Sequence, residues 1–141
     1  MLEAKNKGVF SLVNYKVNNF SLEEPLVDEI DIILFFEPSG KYFEATSIYK
    51  LFFKFEVLYG PNNENKFLSA KMEADFKFED PIKLNEIPQY FYANSVAIVF
   101  PYLRGFVSTI TSVANLKTLV LPTLNLMYLE DELKKNTIIA T

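Results

Sequence analysis

Apolar and polar residues alternate along the first half of the chain with the period of two that is typical of β-strands. Four strands are predicted on this basis, over residues 9–22, 29–37, 42–59 and 66–79. The acidic segment 23–28 is predicted to connect the first two strands, and the Pro- and Gly-containing segment 38–41 is predicted to form a turn. Four strands joined in this way indicate an antiparallel sheet.

The period changes in the second half of the chain. Apolar residues recur at three- and four-residue spacing from Asn94 to Asn115, which predicts a helix with one broad apolar face. Asn94 or Ser95 is expected to cap this helix, with Pro101 early in it. Residues 128–136 predict a short closing helix. The predicted fold class is therefore α+β, a four-stranded antiparallel sheet followed by a long helix and a short C-terminal helix packed on one face.

Length and composition indicate one domain, residues 1–141, of which half are hydrophobic. The chain has 14 Phe and 8 Tyr, so some rings are expected in an interface or a binding groove. A net charge of −4 argues against a nucleic-acid binder. Residues 1–8 lack the apolar core of a signal peptide, and no apolar run long enough to span a bilayer is recognised. We expect a cytoplasmic protein without direct membrane insertion.

The side-chain inventory leaves little room for catalysis. With no His and no Cys, the usual catalytic triads and metal sites built from imidazole or thiolate are excluded. Acidic residues crowd the segment 23–31, which we interpret as a solvated loop or a docking patch for a partner. We therefore predict no enzyme activity, no catalytic residue, no metal and no cofactor.

Aromatic residues are the strongest candidates for a binding role. Those on one face of the third predicted strand, including Phe43, Tyr49 and Phe53, either pack in the core or line a groove for an extended polypeptide. The consecutive residues Tyr90, Phe91 and Tyr92 cannot all face one core. We expect at least one of these three to be exposed.

Several short motifs resemble SecB export chaperones. The segment Val99-Phe100-Pro101-Tyr102-Leu103-Arg104 is similar to the one that opens the long helix of that family. Pro122-Thr123-Leu124-Asn125-Leu126 resembles its P-x-L-N-L segment. Asn19-Phe20-Ser21-Leu22-Glu23-Glu24-Pro25 is similar to the end of its first strand, and Phe67-Leu68 to the start of its fourth. The resemblance extends over about residues 9–133 in the expected order.

The resemblance implies a homotetramer, built as a dimer of dimers, that binds unfolded polypeptide clients without ATP. The long helices, here about residues 95–114, would meet between the dimers. The implied interface candidates are Gly105, Ser108, Thr109 and Ser112. The client-binding candidates are Phe43, Tyr49, Phe53, Phe67, Tyr90, Phe91, Tyr92 and Leu126.

The family's acidic docking positions for the translocase motor SecA fall here on Asn19, Glu23 and Ala70, so only Glu23 keeps its charge. The loss of two carboxylates is expected to weaken that contact. The leading hypothesis is a holdase for unfolded proteins, including preproteins for export. The alternatives are a chaperone dedicated to one partner, such as an antitoxin, and a non-enzymatic assembly protein.

Overall fold

A computed structural model describes residues 8–28 and 30–140. Within them, the long elements are β1 (Phe10–Leu22), β2 (Ile32–Phe43), β3 (Ile48–Tyr59), β4 (Asn65–Phe78), α1 (Gln89–Val113), α2 (Glu130–Lys135) and β5 (Thr137–Ile139). Short 3₁₀ turns lie at Pro61–Asn63, Leu84–Glu86 and Met127–Leu129. Residues 1–7, most of the N-terminal segment that lacks a signal-peptide core, lie outside the described residues. So does Glu29 of the acidic segment.

The five strands form one mixed sheet in the order β1-β4-β3-β2-β5. The first four are antiparallel, as predicted, but β5 adds to the edge of β2 in parallel. The prediction of a purely antiparallel, four-stranded sheet was therefore wrong. The strand β5 was not predicted because its three residues are too few to show a period of two.

The predicted turn at 38–41 was also wrong, because β2 runs straight through it and the chain turns at 44–47. Pro38 is tolerated because its nitrogen faces away from β3. Gly40, two residues further on the same strand, donates its N–H to the Asn136 carbonyl on the β5 side (3.1 Å). The Pro38 nitrogen therefore points to the open edge, where a missing N–H breaks no bond within the sheet.

Gly40 is required by a close approach and not by a turn. A Cβ at this position would overlap the Tyr49 ring and hydroxyl. The Tyr49 hydroxyl donates to Thr137 Oγ1 (2.6 Å), which in turn donates to the Leu133 carbonyl (2.6 Å). Burial raises the pKa of the Tyr49 hydroxyl well above its usual value. This chain of hydrogen bonds joins β3 to α2 and β5.

The core lies between α1 and one face of the sheet. The predicted inward face of β4 is confirmed, since all six of its residues are buried: Leu68, Ala70, Met72, Ala74, Phe76 and Phe78. Phe91 of α1 packs against rings from three strands, with centroids 4.7 Å from Phe10, 4.6 Å from Tyr49 and 5.0 Å from Phe78. Each such aromatic pair contributes about 0.5–1.5 kcal/mol beyond the buried area.

The long helix starts earlier than predicted. It begins at Gln89, with Pro88 as its N-cap, so the expected caps Asn94 and Ser95 lie inside it. Pro101 consequently falls in the middle of the helix, where it lies exposed on the outer side. Its missing N–H costs one helical hydrogen bond, which the buried face of the helix offsets.

Among the described residues, α1 is the one helix long and apolar enough, by these two measures alone, to cross a membrane. The expectation from sequence that no segment has this property was therefore wrong. Core helices of soluble domains meet the same criteria, and ten residues of α1 are buried in the fold.

We predict that Gly40→Ala lowers the free energy of unfolding by about 1–3 kcal/mol, because the added methyl overlaps Tyr49 in a packed core. Urea denaturation followed by circular dichroism measures this. The control is Ser39→Ala, on the opposite face of the same strand, which should change stability by less than about 0.5 kcal/mol. Equal stability of the two variants would show that Tyr49 moves freely.

Candidate polypeptide-binding surface

The connection between β1 and β2 crosses one end of the sheet, because β4 and β3 lie between these two strands. Two hydrogen bonds hold it there. The Glu23 N–H donates to the Phe67 carbonyl (2.9 Å), and the Leu26 N–H donates to the Tyr59 hydroxyl (3.0 Å). Leu26 is nevertheless 79% exposed and its neighbour Val27 is 56% exposed. The crossover is therefore fixed in place with its apolar side chains facing outward.

The segment that follows α1 lies opposite this crossover. Asn115 takes the left-handed conformation (φ 61°), which ends the helix and turns the chain back. The Leu116 N–H then donates to the Thr111 carbonyl (3.0 Å). Asn is one of the few residues other than Gly that adopt this conformation at low cost.

Side chains of α1 hold the returning segment against the helix. The buried Thr111 hydroxyl donates to the Val107 carbonyl (2.9 Å) and accepts the Leu119 N–H (3.0 Å). Ser108 Oγ donates to the Leu119 carbonyl (3.0 Å), and Arg104 Nε donates to the Leu121 carbonyl further along (3.1 Å). Residues 115–121 therefore form a fixed wall.

The crossover forms the second wall, and a groove of about 340 Å³ lies between it and the 115–121 wall. Its lining residues are Glu24, Pro25, Val27, Asp28, Ile30, Ile32, Phe67, Asn115, Leu116, Lys117, Thr118 and Leu119. Apolar side chains from both walls are mixed with charged groups. Such a groove has room for one or two apolar side chains of an extended chain, whose backbone can bond to the polar groups around it.

The structure distributes the eight client-binding candidates over different places. Phe67 borders the groove, but its side chain is only 4% exposed and belongs to the core. Tyr49, Phe53, Phe91, Tyr92 and Leu126 are core residues, each at most 5% exposed. Of the two alternatives given for Tyr49 and Phe53, packing in the core or lining a groove, the structure shows packing in the core. A client cannot reach these five side chains without opening the core.

Phe43 and Tyr90 are accessible, but they lie away from the groove. Tyr90 is 41% exposed, which confirms that one of the three consecutive aromatic residues faces outward. It lies in the first turn of α1, at the opposite end of that helix from the groove. Phe43 is half-buried at the end of β2, on the sheet face that points away from α1.

Sequence reasoning missed the apolar residues of the two walls. Leu26 and Val27 were read as part of an acidic connection, although two adjacent apolar residues in such a segment are a detectable signal. Leu116 and Leu119 belong to an irregular segment, so no periodicity marks them. Their position follows only from the bonds made by Thr111 and Ser108.

A second apolar surface lies where α1 passes over β1. Tyr15 of β1 stacks on Tyr102 of α1 with centroids 4.4 Å apart, and Phe20 meets Phe106 edge to face at 5.1 Å. Tyr15, Phe20 and Tyr102 remain exposed, as does Ile98 one turn before Tyr102. This stripe and Gly105 therefore form a side of α1 that remains exposed in the described part of the chain.

The four interface candidates do not have the same environment. Gly105, Thr109 and Ser112 are exposed on α1, and a Cβ at Gly105 would meet nothing within 4 Å. Ser108 is half-buried, and its hydroxyl is used within the chain to hold Leu119.

The three positions of the SecA-docking motif are also separated. Asn19 and Glu23 are exposed, but Ala70 is 1% exposed and faces α1. Ala70 therefore cannot contribute to a contact on the surface of the sheet.

No chemistry beyond binding is visible in the described residues. They contain no group of three or more acidic residues that could hold a metal ion. Burial raises the pKa of the Tyr42 and Tyr92 hydroxyls, and both belong to the core. Such shifts follow from packing and do not indicate a catalytic acid or base.

The fold, four antiparallel strands with a parallel fifth strand at the edge and a long helix over one face, is SecB-like. The chain superposes with a TM-score of 0.65 on Rv1957, the SecB-like chaperone of Mycobacterium tuberculosis, in its complex with a ChAD peptide from the antitoxin HigA1. The match covers 82% of this chain and 87% of that one, at 18% sequence identity.

By sequence, the chain is similar to an uncharacterized protein of Methanocaldococcus jannaschii. The two are 33% identical in a match that covers 50% of this chain and 57% of the relative. The chain thus spans little more than half the length of that relative. No family model matches the chain.

We predict that Thr111→Val loosens the 115–121 wall from α1, because the part-buried Leu119 N–H loses its acceptor. The free energy of unfolding should fall by about 1–3 kcal/mol, and exchange of the Leu119 amide hydrogen should accelerate. Hydrogen exchange by NMR reads out the second effect. The control Thr109→Val, on the exposed side of the same helix, should leave both unchanged; slow exchange at Leu119 in Thr111→Val would contradict this role.

Proposed function

We propose that this protein is an ATP-independent chaperone that binds unfolded or extended polypeptide. The observation that carries the proposal is the groove of about 340 Å³ between the crossover and the 115–121 wall, with Leu26 and Val27 exposed beside it. The SecB-like fold supports the same function. Exposed apolar side chains on hydrogen-bonded, fixed backbone bind a partner without first being ordered, which lowers the cost of binding.

The chemistry of the groove favours a polypeptide over a small metabolite. Its polar side chains belong to both segments that border it, and they alternate with apolar ones along each segment. An extended chain offers what this surface can use, apolar side chains at alternate positions and a continuous row of backbone donors and acceptors. Different sequences share both features, so the groove accepts more than one client.

Assembly into a homotetramer, a dimer of dimers, would cover the exposed stripe of α1. Ile98 and Tyr102 would then pack against a second copy, and the absence of a side chain at Gly105 would let the helices approach closely. Each assembled particle would carry four grooves, and one long client contacting several of them binds more tightly than to any single groove.

The proposed setting is the cytoplasm, with no nucleic acid partner and no direct membrane insertion. Delivery of preproteins to SecA is the least supported part of the family's role. Glu23 is exposed at the end of β1 and remains the docking candidate, but its companion positions are the uncharged Asn19 and the buried Ala70. A holdase that acts independently of export fits this surface better.

A chaperone dedicated to one client is the second candidate. The solved neighbour is bound to a peptide from an antitoxin, so a SecB-like fold is compatible with that role. The two candidates differ in selectivity. A general holdase binds several unrelated unfolded proteins with similar affinity, whereas a dedicated chaperone prefers one segment by a large factor.

We predict that Leu26→Ser combined with Val27→Ser raises the Kd for an unfolded client about tenfold or more, since two apolar contacts are lost. Fluorescence titration with reduced, carboxymethylated lactalbumin measures the affinity. The matched control is the exposed pair Ile138→Ser and Ile139→Ser on β5, at the other edge of the sheet from β1. Equal affinity of the two double variants would place the client elsewhere.

We predict that Gly105→Leu reduces the tetramer to smaller species without lowering the stability of the fold. A Cβ at this position meets nothing within 4 Å among the described residues, whereas a Leu side chain would crowd an approaching helix. Gly is about 0.8–1 kcal/mol less favourable than Ala in a helix, and Leu ranks close to Ala. Sedimentation velocity gives the assembly state and thermal melting the stability. A tetramer that survives the substitution would rule out close helix contact at this position.

A further inference from the structure

The sheet face that points away from α1 carries every charged side chain of strands β1–β4. These strands contain seven lysines and four carboxylates, namely Lys16, Lys41, Lys50, Lys54, Lys66, Lys71, Lys77, Glu37, Glu56, Glu73 and Asp75. This outer face therefore carries +3, whereas the whole chain carries −4. The charges are segregated, with a basic surface on an acidic protein.

Each of the four carboxylates lies next to one lysine. The ion pairs are Lys16–Glu73 (3.5 Å), Lys50–Asp75 (3.7 Å), Lys54–Glu37 (3.9 Å) and Lys66–Glu56 (2.6 Å). The excess positive charge thus belongs to Lys41, Lys71 and Lys77. The ion pairs among the described residues include none of these three, and Lys77 donates instead to the Thr46 carbonyl (3.1 Å).

The lysines are placed where they repel one another. In the register of the sheet, Lys41 lies directly opposite Lys50, and Lys54 lies directly opposite Lys71. Like charges facing each other across two strands destabilise a sheet. Since folding gains nothing from these two pairs, an anionic partner that neutralises them provides a physical reason for the arrangement.

The same face has an apolar anchor point at its centre. A depression of about 310 Å³ is bordered by Phe52, Ser39, Lys54 and Lys71. The small side chain of Ser39 lies directly opposite Phe52 and leaves its ring accessible from the β2 side. The Lys41 ammonium lies 5.9 Å from the centre of that ring. The depression is also bordered by Glu37 and Glu73, which form ion pairs with Lys54 and Lys16. The positive charges left beside an apolar group in this depression are therefore those of Lys71 and of Lys41 over the Phe52 ring.

We propose that the outer face of the sheet docks an acidic polypeptide segment, with one apolar side chain on Phe52 and carboxylates beside Lys41 and Lys71. A polypeptide fits better than a nucleic acid. The four interspersed carboxylates would repel a continuous phosphate backbone, whereas a peptide can place its acidic groups beside the lysines and its apolar group over the ring.

This surface is separate from the client groove, which is bounded by the crossover and the segment after α1. A partner on the outer face and a client in the groove can therefore bind together. The inference does not depend on the proposed chaperone function, because its evidence is the charge distribution and the register of the sheet.

The test uses a labelled synthetic peptide with glutamates on both sides of a central phenylalanine. A matched peptide has lysines in place of the glutamates, and a single-stranded DNA has the same net charge. Fluorescence anisotropy compares the full-length protein with the variant Lys41→Glu/Lys71→Glu. The control, Lys83→Glu/Lys135→Glu, changes the net charge equally outside the four long strands.

We expect the acidic peptide to bind the unaltered protein in a salt-dependent way, with a Kd at least about tenfold higher for Lys41→Glu/Lys71→Glu and little changed for the control. The melting temperature of Lys41→Glu/Lys71→Glu should hold or rise, because two repulsive pairs become attractive. Client binding should persist.

Equal binding of the acidic and basic peptides, or an unchanged Kd in Lys41→Glu/Lys71→Glu, would overturn the proposal. Tighter binding of the DNA than of the acidic peptide would overturn it in favour of a nucleic-acid surface. A large loss of melting temperature in this variant would show that the lysines serve the fold.

Discussion

The packing of Phe91 against the sheet determines where everything else in this molecule lies. Its ring contacts Phe10, Tyr49 and Phe78, which belong to three different strands, and so fixes the first turn of α1 over the core. The helix then runs across the sheet, and its other end brings residues 115–121 opposite the β1–β2 crossover. The groove between them is therefore a consequence of a contact made at the other end of the helix.

The abundance of aromatic residues is explained mainly by this core and only partly by binding. Rings from the strands and α1 interlock, so that Tyr49, Phe53 and Phe91 are inaccessible. The most exposed side chains beside the groove are aliphatic and lie on an irregular segment, at Leu26 and Val27. Apolar side chains on hydrogen-bonded loops over a fixed core are compatible with the proposed binding of other chains.

Periodicity predicted the four long strands and α1, because β4 alternates strictly and α1 keeps one broad apolar face. Periodicity did not place the turn between β2 and β3 at 44–47. Pro38 and Gly40 are equally typical of turns and of an edge strand beside a bulky ring. Neither did it show that Phe91 belongs inside and Tyr90 outside, which depends on where the helix begins. The groove depends on tertiary hydrogen bonds of Thr111 and Ser108, for which the sequence has no pattern.

The central claim is that this protein recognises the unfolded state of other proteins. Light scattering on a size-exclusion column, with a client in its reduced, unfolded form and in its native form, tests it most directly. The account predicts a particle of about four 16.3 kDa chains that comigrates with the unfolded client and not with the native one. A particle that ignores the unfolded client, or binds both forms equally, would contradict it.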